Sequence, residues 1–164
     1  MRWFTLAAFM LLASLAVAAD NTNDNADRET RLANYLTGAS FVGKFTVDGK
    51  EDKLPKTEQY MISKCEKMDA ADQYRLTARI KYGEVDSEVP MEIKILWSGQ
   101  TPVITLDSLW IPGMGTFDAR VMIHAGRYAG TWQHDKVGGH MFGKIVVAGS
   151  KDPAEADEEV RGDQ

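Results

Sequence analysis

Few residues in this chain have the right type and spacing for chemistry. His124, His134 and His140 are its three histidines, all near the C-terminal end. If Asp135–Gly139 forms a hairpin loop, His134 and His140 face each other across two strands, with opposed Cβ atoms about 4.5–5.5 Å apart. Two neutral imidazoles at that separation can share a zinc or copper ion, with Asp135 or His124 as a third ligand. A metal-dependent enzyme at His134/His140 is therefore one reading. Against it, histidine is common on wet strand faces, and none of the usual metal-ligand spacings is present. Glu84, Asp86 and Glu88 alternate along one strand face. Calcium can use such a row, but a solvated face explains it as well. There is no Gly-x-Ser-x-Gly elbow, no His-Glu-x-x-His and no glycine-rich phosphate loop. No pair of acids stands apart as a general acid and its base. No catalytic residue is assigned, and no cofactor is expected.

The aromatic residues point to binding instead. Trp97, Trp110 and Trp132, with Tyr74, Tyr82, Phe117 and Phe142, fall on or beside apolar strand patterns. Met91, Met114, Met122 and Met141 add pliable apolar surface. Such residues either fill a core or line an apolar pocket. The candidate lining residues are Tyr82, Trp97, Trp110, Phe117 and Trp132. The run Leu109-Trp110-Ile111-Pro112-Gly113-Met114 is apolar yet reads as a loop. An apolar loop at a rim serves as a lid or as a contact surface for another protein.

The elements that would position these residues follow a period of two. Tyr74, Leu76, Ala78, Ile80 and Tyr82 share one face, while Gln73, Arg75, Thr77, Arg79 and Lys81 share the other. A strand with one wet face reads this way. Val85–Trp97, Phe117–His124 and Phe41–Asp48 repeat the pattern. Glu58–Lys67, Val103–Leu109, Tyr128–Gln133 and His140–Val147 are weaker cases. Pro90 cannot donate to a ladder and marks an edge, a bulge or a break. Asp48-Gly49, Tyr82-Gly83, Ser98-Gly99, Pro112-Gly113, Ala125-Gly126 and Gly138-Gly139 supply turn chemistry between the runs. About eight strands with short links predict an all-β, antiparallel up-and-down barrel, with a β-sandwich as the alternative. One short N-terminal helix is expected over Arg28–Leu36, with Leu32 and Leu36 one turn apart and Gly38 ending it.

The 164 residues carry a net charge of −5 and one cysteine, and 44% are hydrophobic. That is one domain's worth of chain. A single cysteine excludes a disulfide framework, and Cys65 reads as a buried small hydrophobe. The negative balance, with no Lys/Arg cluster, argues against nucleic acid as a partner. Arg2, the apolar stretch Trp3–Val17 and the small residues up to Ala19 describe a secretory signal peptide over 1–19, cleaved after Ala18 or Ala19. No later stretch reaches the roughly 20 apolar residues of a spanning helix. Residues 20–31 are polar and read as a disordered linker, 32–147 as the barrel domain and 148–164 as a disordered acidic tail. The product is expected in the periplasm or outside the cell.

The stretch Gly126–Ile145, GRYAGTWQHDKVGGHMFGKI, is the most distinctive in the chain. Together with Phe41-Val42-Gly43-Lys44-Phe45 and Thr101-Pro102-Val103-Ile104-Thr105, it resembles a family of small exported bacterial proteins of unknown function. That resemblance implies export and carries no catalytic residue with it. Gly130-Thr131-Trp132 also looks like the Gly-x-Trp signature of the calycin barrels, the lipocalins and avidins. There the motif lies on the first strand, whereas here it falls near the end. The resemblance implies a barrel shape, and a shared shape does not transfer a function. The expectation is thus an exported, non-enzymatic β-barrel that binds a small apolar ligand. The alternatives are a protein-binding or inhibitory module using the 109–114 loop, and the metal enzyme above.

Overall fold

Alternating apolar side chains need a surface to face, and eight antiparallel strands provide it by closing on themselves. The structure, a computed structural model, describes residues 15–82 and 85–147, with side chains over 24–80 and 86–147. The order is α1 (Leu15–Leu36), β1 (Ala39–Phe45), β2 (Lys56–Lys67), β3 (Gln73–Tyr82), β4 (Val85–Ser98), β5 (Thr101–Ile111), β6 (Gly115–His124), β7 (Arg127–His134) and β8 (Val137–Val147). Each strand pairs with the next, and β8 returns to β1 through Ala39↔Val147 to Phe45↔Met141. That closure selects the barrel over the sandwich and leaves no open sheet edge at the seam. Leu76, Ala78, Ile80, Ile93, Ile95, Val121 and Ile123 are buried inside, while Arg75 and Arg79 pair outside with Glu92 and Asp86 at 2.7 and 2.5 Å.

Two irregularities aim side chains. In β5 the register slips between Leu106 and Leu109. Ser108 takes φ +50°, and Asp118 accepts a hydrogen bond from its backbone N–H at 2.8 Å. One inserted residue swaps the faces of everything beyond it. Ile111 is therefore buried, and Trp110 points outward. Pro90 lies opposite Thr77 of β3, whereas β4 pairs with β5 only over Lys94–Ser98. Of the three roles open to Pro90, the edge is the one it takes, where no ladder donor is needed.

Helix α1 corrects the expected boundaries. It begins well upstream of Arg28, so much of 20–31, read as a disordered linker, is helical. The anchor is tertiary. Leu32, Ala33 and Leu36 are buried against the barrel end, and the Arg28 guanidinium lies 4.1 Å from the Trp97 ring centre. Glu29 meets Lys67 at 3.5 Å. Once a docked segment has nucleated the helix, each further residue costs little, even a polar one. Gly38 ends the helix at φ +78°, as expected, and its N–H donates to the Ile62 carbonyl at 2.8 Å.

Two turns also differ from expectation. Leu109, Trp110 and Ile111 belong to β5, opposite Phe117, Thr116 and Gly115, so the apolar loop shrinks to the turn 112–114. The last hairpin turns at Asp135 (φ +53°) and Lys136, and Gly138-Gly139 lie within β8. Most of the expected signal peptide (1–14), Gly83, Glu84 and the acidic tail 148–164 lie outside the described residues. Among the described residues no helix is long and apolar enough to cross a membrane.

Candidate functional site

The two ends of the barrel are built differently, and the site follows from that. Helix α1 fills one end. Toward the other, the interior holds a cavity of about 200 Å³. Its wall runs from Ile62, Leu76 and Ile93 at mid-barrel to Phe45, Phe117 and Met114 near the 112–114 turn. No described side chain of α1 lines it. Nearly all of the lining is apolar, and the polar exceptions are Glu58, Tyr60, Asp118, His134 and the indole N–H of Trp132.

Rings laid over glycines shape this wall. A Cβ at Gly143 would stand 2.7 Å from Tyr128 Cε1, one at Gly139 would meet Trp132 Nε1 at 3.0 Å, and one at Gly115 would meet His134 Nε2 at 2.5 Å. Tyr128 and Trp132 pair directly with Gly143 and Gly139 across β7 and β8. Glycine is thus the residue that lets each ring lie flat against the neighbouring strand. Trp132 then donates to the Thr46 carbonyl at 3.2 Å and meets Phe45 edge-on at 5.7 Å. His134 stacks on Phe117 at 4.5 Å and 9°.

One cross-strand row carries a carboxyl group into the interior. Glu58 lies opposite Gly43, Gly43 opposite Gly143, and Gly143 opposite Tyr128. With no side chain on either glycine, the Tyr128 hydroxyl reaches across two strands and donates to Glu58 Oε1 at 2.8 Å. Tyr60 donates to Oε2 at 3.1 Å. Glu58 is only 8% exposed. Burial raises its pKa above the ordinary carboxylate value, and the two phenol hydrogen bonds pull it back in part. Burial, and then the adjoining carboxylate, push the Tyr128 phenol up as well.

The expected site residues divide. Phe117 and Trp132 line the cavity. Trp97 faces inward at the helix-filled end, beneath Arg28, and does not reach it. Trp110 is 65% exposed on the outer face beyond the β5 bulge. Tyr82 ends β3, and its side chain lies outside the described residues. Met91, Met114 and Met141 line the cavity, whereas Met122 and Phe142 are exposed outside. The paired-histidine geometry does not form. With the turn at 135–136, His134 opposes Val137 and His140 opposes Thr131. His134 lines the cavity, His140 is exposed, and Asp135 is an exposed turn residue 3.5 Å from His134 Nε2. Among the described residues no three His, Cys, Asp or Glu side chains gather to hold a metal.

Glu58, Tyr60 and Tyr128 were the residues missed. One signal was present. Glu58, Tyr60 and Ile62 share a strand face, which puts an acid in phase with the core. Its partnership with Tyr128, 70 residues away, was not visible in any local pattern.

Comparisons of the chain with protein-family models, with curated proteins and with solved structures find no match. The closed eight-strand antiparallel barrel is compatible with a calycin-like fold.

Proposed function

We propose that this protein is an exported binding protein that holds a small, largely apolar molecule inside its barrel. The cavity of about 200 Å³, apolar along almost all of its wall, carries the proposal. An apolar pocket with a few placed polar groups is the usual form of a small-molecule site. Export is supported by the signal-like residues 1–19. Titration with ANS or an aliphatic alcohol, followed by ANS or intrinsic tryptophan fluorescence, tests the binding. Saturable binding is expected in the native chain. Ala78→Phe places a ring in the cavity and should abolish it while the protein remains folded. A native protein that saturates with no apolar probe overturns the proposal. Sequencing the N-terminus of exported protein tests the address, with Ala19 or Asp20 expected first.

A protein-contact role for the end of β5 is the second reading, favoured by the 65% exposure of Trp110. Trp110→Asp should then abolish capture of a partner from the exporting cell without lowering the melting temperature. Unchanged capture removes this reading.

A further inference from the structure

Among the described residues the cavity is lined by no lysine or arginine. Its ionisable lining groups are the acids Glu58 and Asp118, the Tyr60 phenol and the imidazole of His134. Asp118 is committed in part to the β5 bulge, through the Ser108 N–H at 2.8 Å. Glu58 is committed to Tyr60 and Tyr128, one hydrogen bond to each oxygen. A carboxylate has about four lone-pair sites, so acceptor capacity remains on the side that lines the cavity. The glycine pair Gly43/Gly143 holds this arrangement open, since a side chain at either position would collide with Tyr128. A buried acid that shares its wall with Ile62, Ile80 and Phe41 is costly unless something answers it. Two phenols answer it only as neutral donors.

We infer that the barrel selects apolar ligands carrying an amine or another hydrogen-bond donor, seated on Glu58, and discriminates against carboxylates such as fatty acids. This rests on the binding reading above. An ammonium head would meet a carboxylate where the dielectric is low and the attraction is strong. A carboxylate head would face two acids and meet no lysine or arginine among the described residues of the wall. A neutral hydroxyl donates to Glu58 without the charge and falls between the two.

Three probes with one tail separate these cases: n-octylamine, n-octanol and n-octanoate, titrated by calorimetry into the full chain near neutral pH. Octylamine should bind about tenfold or more tighter than octanoate, a difference of about 1.4 kcal/mol. It should also displace octanol, showing that both occupy the same space. Glu58→Gln keeps the shape and an acceptor but removes the charge, and should shrink the amine preference to about threefold or less. If octanol binds but octanoate matches octylamine, or if the preference survives in E58Q, the selectivity is overturned and the cavity reading stands. If octanol also fails to saturate, both are overturned. The wild-type ranking decides the matter even if E58Q does not fold.

Discussion

At one end of the barrel the interior is finished with side chains, and at the other it is left open. Leu36, Ile95 and Tyr74 are essentially fully buried near the helix, and Cys65 is 6% exposed beside them. At the far end Phe45, Phe117, Met114 and Trp132 stand around a space that no part of the described chain occupies. Both ends are walled by inward-facing residues of the same eight strands. The difference is that one receives an amphipathic helix, whereas the other is crossed, among the described residues, by the tight turns 112–114 and 135–136 and the connection 46–55. The closed end supplies packing, and under the proposed binding reading the open end holds the ligand. Helix α1 therefore acts as a plug as well as an N-terminal extension.

Substitutions at the two ends should separate these roles, beginning with the largest effect. Leu36→Ala leaves a void in the closed end and should cost about 2–5 kcal/mol, measured by urea unfolding. Met114→Ala, at the open rim, should cost under about 1 kcal/mol, and equal losses would break the distinction. Gly143→Ala drives a methyl into the Val42 carbonyl and the Tyr128 ring, and should cost about 1–3 kcal/mol. It should also weaken probe binding, because the Tyr128–Glu58 contact depends on that space.

The pH dependence of stability tests the open end directly. Burial raises the Glu58 pKa in the folded state, with Tyr60 and Tyr128 facing it and Asp118 and His134 further along the wall. Between the unfolded and folded values the folded chain binds more protons. Stability therefore falls as pH rises through that window, and the penalty is absent below it. The gain in melting temperature of ligand-free E58Q over wild type should be larger at about pH 8 than at about pH 4. A gap that shrinks with rising pH would contradict the buried acid.

Two small effects complete the series. Burial pushes the Cys65 thiol up to about 12. It should resist a thiol reagent in the native protein and react promptly in urea. Rapid native labelling would mean that the helix does not seal its end. Trp110→Asp, on the outer face, should change stability by no more than about 0.5 kcal/mol and leave probe affinity unchanged.

Local patterns carried most of the architecture. Four of the eight strands announced themselves through clear alternation and the other four more weakly, because a pleat sends neighbours to opposite faces wherever the chain runs. The inward face of β3, with Leu76, Ala78 and Ile80, is the one the alternation assigned. Alternation failed where one residue changed its phase. The bulge before Leu109 turned Trp110 outward, and the turn at Asp135 rather than at Gly138-Gly139 placed His134 and His140 on opposite faces. The site was legible in part. Phe117 and Trp132 were identified as lining, whereas Trp97 lies under a helix whose docking no periodicity could place there.

By itself, then, the sequence determined the strand count, the antiparallel order and the oily inner wall. These follow from a period of two and from short turns, which are local properties. Only the tertiary structure decided which inward residues meet across the barrel. Closure through β1 and β8 brought Glu58 into one row with Gly43, Gly143 and Tyr128, and helix docking chose which end stayed open. Contacts between residues far apart in the chain depend on the register of every strand between them, and no short stretch encodes that sum.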